Sequence, residues 1–203
     1  MGAFRSTRAR GWALLFALVG LAAAIRLPAT LTRGPLRGFK GFDDGVYLAS
    51  VDAMRNGGDP YTELFSSQGP LFLPVLRMGD MFGAIGPRLI MLLSAGVLVA
   101  GSYVLVRRCG GQNAATVAGI AAAASLSLYS VTTGVASDGP ALAFTMAAML
   151  VASWRRPPVL ARALAAGALV GAALSIKSLF VLPAGLAVGW YLLRALGLRA
   201  VSY

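Results

Sequence analysis

The sequence predicts an all-α integral membrane protein of about six transmembrane helices, with an outer loop carrying two short interfacial helices after the first span. Three observations make that prediction. Of 203 residues, 58% are hydrophobic, mean hydropathy is +0.75 and only 12% are charged, a composition foreign to water-soluble domains. The apolar residues fall in uncharged runs long enough to cross a bilayer. Most of the 18 Lys and Arg residues bracket those runs, which is how membrane topology is written.

The net charge of +11 therefore reads as topogenic, and no nucleic-acid partner is expected. Cys109 is the only cysteine, so no intrachain disulfide can form. The chain has no His, which removes His-based catalysis and the commonest metal ligand.

Residues 1–10 carry Arg5, Arg8 and Arg10 and read as a cytoplasmic N-terminus; residues 11–29 form the first transmembrane helix. A signal peptide also has a basic start and an apolar centre. Here Arg26 and Pro28 stand where small residues would mark cleavage, which favours an uncleaved span. Arg26 is expected to extend to the headgroups. Residues 30–87 form the outer loop, and residues 88–203 hold spans two to six. Leu89–Val106 and Ala114–Val135 are uncharged and near the roughly 20 residues of one crossing. Pro140–Trp154 is shorter, with Trp154 as an interfacial anchor. Residues 163–193 would make one helix about 46 Å long at roughly 1.5 Å per residue, against a core of about 30 Å. Two short helices meeting near Lys177, with Pro183 in the second, fit better.

Cation placement sets the orientation. With six spans, Arg5, Arg8, Arg10, Arg107, Arg108, Arg155, Arg156, Arg162, Arg194 and Arg199 share one side without a carboxylate. The other cations share the opposite side with every Asp and Glu. The positive-inside rule puts both termini in the cytoplasm and the loop outside the cell membrane.

Within the loop, Asp43 or Asp44 can N-cap a helix over Val46–Arg55, with Asn56-Gly57-Gly58 as its stop. Tyr47, Val51 and Met54 form an apolar stripe on it that suits a bilayer surface. Gly58-Asp59-Pro60-Tyr61 is turn chemistry, and a second helix runs from Pro70 to about Phe82. Local pattern alone leaves Asp43, Asp44 and Asp138 as helix-start residues, Asp59 as a turn residue and Lys177 as a headgroup contact. Topology brings the loop acids, Asp138 and Lys177 from three separated segments to one membrane face, as a catalytic cluster requires.

These residues resemble the N-terminal half of the GT-C membrane glycosyltransferases, in their polyprenyl/dolichyl-phosphate mannosyltransferase and aminoarabinose-transferase branch. The resemblance rests on a first span ending in Arg, on Asp43-Asp44-Gly45-Val46-Tyr47, and on Gly58-Asp59-Pro60-Tyr61. It continues through Gln68-Gly69-Pro70-Leu71, Ser137-Asp138-Gly139-Pro140 and the Gly-rich run from Gly167 to Lys177. It implies transfer of a sugar from a polyprenyl-phosphate donor to a hydroxyl of a glycan, lipid or protein acceptor, with inversion. Asp43 would be the general base, with Asp44 and Asp138 as its catalytic companions. Lys177, Arg55 and Arg77, in that order, would meet the leaving phosphate, and Tyr47, Tyr61 and Gln68 complete the substrate-binding set. Some members of that family hold a divalent metal through an acid at the Gln68 position and a later His. This chain has neither, so no cofactor is expected and a metal fits poorly. Members are also much longer, so residues 88–203 are expected to be truncated and the chain inactive alone.

Two other classes compete. One is a catalytically silent or incomplete subunit derived from a transferase; the other is a small transporter, which would place charges along a substrate path. Reporter fusions after residues 65 and 110 test the orientation. Residue 65 is expected outside and residue 110 in the cytoplasm; a cytoplasmic residue 65 contradicts it.

Overall fold

A computed structural model describes residues 2–32, 42–60, 62–63, 66–154 and 157–195, and every regular element among them is a helix. Among the described residues, three helices are long and apolar enough to cross a membrane: Ala9–Leu31, Gly86–Ala124 and Val159–Ile176. A fourth crossing is reached if Leu126–Thr133 and Asp138–Ala152, bent by 116°, count as one broken span. The chain has the build of a multi-pass membrane protein, in which backbone groups must find partners inside the protein.

Helix α1 (Gly2–Thr32) packs most extensively against α4 (Gly86–Ala124). The α4 element is a hairpin. Val19 of α1 faces Gly96 and its neighbour Leu18 faces Gly119, two positions that a straight helix would hold about 35 Å apart. The chain reverses at Gly111, whose φ of 79° and ψ of −171° lie in a region that only glycine occupies freely. Near the reversal, the Tyr103 hydroxyl donates to the Gly11 carbonyl at 3.0 Å and accepts from Gln112 Nε2 at 2.8 Å.

An unbroken third span over Ala114–Val135 is not what folds. The helix stops at Ala124, Ser125 is extended, and α5 (Leu126–Thr133) starts anew with Ser125 Oγ accepting from Leu128 N at 3.3 Å. A helix end leaves carbonyls without partners, and Arg26 answers them. Its guanidinium donates to the Ala123 carbonyl at 3.0 Å, the Ala22 carbonyl at 3.2 Å and Thr132 Oγ1 at 2.8 Å. Arg26 is fully buried rather than extended to the headgroups, because the break in the neighbouring helix offers it acceptors at depth.

Helices α6 (Asp138–Ala152), α7 (Val159–Ile176) and α8 (Ser178–Ala195) follow. Lys177 is extended between α7 and α8, the break that its position in the sequence predicts. The C-terminus of α6 is capped by cations, as a helix dipole favours. Arg108 Nη1 donates to the Leu150 carbonyl at 3.1 Å and to Ser153 Oγ, and Arg162 Nη1 reaches the Ala152 carbonyl at 3.3 Å.

On the polar side, α2 spans Phe42–Arg55 and ends at the expected stop. Gly58 N donates to the Ala53 carbonyl at 2.9 Å and Gly57 N to the Met54 carbonyl at 3.3 Å, the paired closure of a glycine C-cap. Asp43 and Asp44 lie inside the first turn instead of preceding it. The Tyr47, Val51 and Met54 stripe does not lie on a bilayer surface. It is buried against Phe72, Leu73 and Leu76 of α3 (Phe72–Arg77), because that short helix offers an apolar face of its own. A 3₁₀ segment, Met78–Ile85, continues from α3 and exposes Met78, Met81 and Phe82. The predicted second helix thus begins two residues after Pro70 and changes type past Arg77.

Gly111 has nothing within 4 Å of where a Cβ would stand, so Gly111→Ala isolates the backbone effect. It should lower stability by about 1–3 kcal/mol, read as thermal unfolding in detergent.

Candidate functional site

Two adjacent carboxylates of α2 take opposite environments. Asp44 is buried, with Oδ2 at 2.8 Å from Arg88 Nη2 and Oδ1 accepting from Val135 N at 2.7 Å. One side chain thereby ties α2 to the start of α4 and to the loop between α5 and α6. Asp43 is exposed, and no hydrogen bond or ion pair engages it among the described residues.

A second chain of contacts runs beside the first. The Tyr47 hydroxyl lies 3.5 Å from Ser67 Oγ, which accepts from Gln68 Nε2 at 3.2 Å. Gln68 Oε1 accepts from Ser137 Oγ at 2.7 Å. The next residue, Asp138, holds Lys177 Nζ at 2.9 Å through Oδ1 and 3.0 Å through Oδ2, with both side chains part-exposed. Asp138 opens α6 and Lys177 fills the α7–α8 break, so this pair joins the ends of three helices.

Backbone pairing closes the arrangement. Gly69 N donates to the Ile176 carbonyl and Leu71 N to the Ser175 carbonyl, both at 3.0 Å. A Cβ on Gly69 would meet the Ser175 oxygen at 2.2 Å, so only glycine permits this approach. The loop over 66–71 is thereby docked beside Lys177.

Of the residues singled out in the sequence, Asp44, Tyr47, Gln68, Asp138 and Lys177 belong to this connected face, beside which Asp43 stands only as the neighbour of Asp44 on α2. Arg55 does not. It stands at the far end of α2, about 18 Å along the helix from Asp43, and is exposed with Asp52 at 3.7 Å. Arg77 is exposed at the end of α3, with no contact to the face. Tyr61 lies outside the described residues. Tyr47 is mostly core: it is buried, with Phe72 edge-on at 4.8 Å between ring centroids.

The sequence reading missed Arg88, Ser67 and Ser137. Arg88 stands immediately before an apolar run and near an acidic loop, and a cation entering a membrane span calls for a carboxylate partner. That signal was available. The two serines carry no such signal. Among the described residues no three Asp, Glu or Cys side chains cluster as a metal site would need, and Asp44 and Asp138 already hold cations.

No family model, curated protein or solved structure matches the chain. The likeness to the GT-C transferases therefore rests on the residues quoted above.

Next to this face, an apolar groove of about 280 Å³ runs between α4 and α6, lined by Ile90, Leu93, Val97, Pro140 and Phe144 among others. Its Pro140 end is two residues from Asp138.

Losing the Asp138–Lys177 pair should loosen the docked loop. Lys177→Met is expected to speed amide exchange at Gly69 and Leu71 while leaving Tyr103 and Ala115 protected; unchanged exchange at the loop would contradict the coupling.

Proposed function

We propose that the chain is a polyprenyl-phosphate-dependent membrane glycosyltransferase that works on the outer face of the cell membrane. The observation that carries the reading is the split between the two α2 carboxylates. Asp44 has both oxygens committed, whereas Asp43, the next residue along α2, is exposed and unengaged among the described residues; the reading takes it to work with the Asp138–Lys177 pair. An alcohol is a weak nucleophile and needs a positioned base. Asp43 takes the proton of the acceptor hydroxyl as its oxygen forms a bond to the anomeric carbon. The bond from that carbon to the phosphate oxygen breaks, and polyprenyl phosphate leaves with the electron pair.

The leaving anion requires a cation. Lys177 is the candidate that belongs to the face, and a phosphate there would compete with Asp138 for its ammonium. Asp138, so released, would orient the acceptor. Arg55 and Arg77 are the weaker candidates because neither reaches the face. The groove between α4 and α6 has the apolar lining and the placement that a hydrocarbon tail needs when its head is at Asp138. In this reading the six crossings are α1, the two arms of α4 with α5 continuing the second, α6, α7 and α8. Both termini are cytoplasmic.

The pairing of Asp44 and Asp138 with cations favours one second reading, a catalytically silent subunit descended from such an enzyme. Transfer from a radiolabelled polyprenyl-phosphate sugar in membranes separates the two. Asp43→Asn should lower transfer by about 10²–10⁴-fold, and Arg55→Ala should leave it near the wild-type level. Equal product from wild type and Asp43→Asn refutes the base assignment, and no product from wild type supports the silent reading.

A further inference from the structure

A second groove lies at the opposite end of the same two helices. It has a volume of about 380 Å³ and is lined by Ala100, Val104 and Arg108 of α4 and by Leu150, Val151 and Trp154 at the end of α6. Ala100, Val104 and Arg108 are spaced four apart, so they share one stripe about 12 Å long. The stripe is apolar for two turns and then cationic. Across from the cation stands Trp154, half exposed, the residue type that anchors at the level of lipid headgroups.

Arg108 is held in place rather than free to sweep. Its Nη1 donates to the Leu150 carbonyl at 3.1 Å and to Ser153 Oγ. Its Nε and Nη2 have no partner among the described residues, and the side chain is exposed. A guanidinium fixed through one nitrogen presents the others as a preorganised fork for phosphate oxygens. The C-terminus of α6 opposes an anion with roughly half a charge, which the full charge of Arg108 outweighs.

We infer that this groove binds one anionic phospholipid, with an acyl chain along Ala100 and Val104 and the phosphate on Arg108 beside Trp154. A hydrocarbon wall that ends in a cation and an indole complements an anionic lipid and no soluble anion, since an inorganic phosphate would leave the groove empty. The surrounding charge agrees, because all ten cations on this side of the proposed topology are Arg and no carboxylate offsets them. Basic pockets between membrane helices are the places where anionic headgroups bind. The site is separate from the Asp43 face and does not depend on the transferase reading.

The test is native mass spectrometry of the purified chain released from mixed micelles of phosphatidylglycerol and phosphatidylcholine. Wild type should retain one phosphatidylglycerol per chain, with a preference over phosphatidylcholine of about fivefold. Arg108→Gln should abolish the preference, and Ala100→Leu, which fills the groove and keeps the cation, should lower retention of the lipid. Arg194→Gln, a cation of the same side outside the groove, should leave the preference intact. Inorganic phosphate added to phosphatidylcholine micelles should not raise the melting temperature. Equal retention of the two lipids by wild type, an unchanged preference in Arg108→Gln, or an equal loss in Arg194→Gln overturns the proposal. So does stabilisation by inorganic phosphate alone.

Discussion

The polar face depends on one buried ion pair. Asp44 and Arg88 are 4% and 1% exposed, and their closest approach is 2.8 Å. Removing two charges from water costs several kcal/mol per ion, which mutual attraction offsets only with good geometry and further hydrogen bonds. Asp44 meets that condition, since its second oxygen accepts from Val135 N. Arg88 does not, because its Nε and Nη1 are buried without partners among the described residues. The pair is thus better understood as a device for specificity than as a large source of stability. It selects one docking of α2 on α4 and on the α5–α6 loop. That docking turns Tyr47, Val51 and Met54 inward and leaves Asp43 outside.

The membrane part follows a related logic, with helix breaks answered by side chains. Backbone at membrane depth must be paired, and broken helices are tolerated where protein lines them. Ser125 caps α5, while Arg26 accepts the burden of the carbonyl left at Ala123. At the other end of the bundle, Arg108 and Arg162 meet the last carbonyls of α6. The break at Lys177 is met differently, since Gly69 and Leu71 donate to the carbonyls of Ile176 and Ser175. This last break joins the apolar scaffold to the polar face, and it puts Lys177 against Asp138.

Much of this was legible in the sequence, and the exceptions share a cause. The Asn56-Gly57-Gly58 stop and the Lys177 break are local signals, carried by glycine conformation and by a charge in an apolar run, and both appear in the fold. The apolar stripe of α2 was legible too, but periodicity says only that a stripe is buried, not by what. A helix six residues long, α3, took the place of the bilayer. Arg26 and the break at Ser125 were unreadable separately, because each answers the other across about a hundred residues of chain. Of the site, Asp138 and Lys177 were found from topology. Their contact follows from the packing of α6 beside the α7–α8 break, and the sorting of Asp43 from Asp44 required Arg88 and Val135, whose role is set by tertiary packing.

The most direct measurement is a double-mutant cycle on the ion pair, with thermal unfolding in detergent micelles as the readout. Asp44→Asn and Arg88→Gln should each cost about 3–5 kcal/mol, since each strands a buried partner. The double variant should lose clearly less than the sum, because it strands neither charge. Additive losses, or an Asp44→Asn variant as stable as wild type, would contradict the ion pair as the interaction that organises the face.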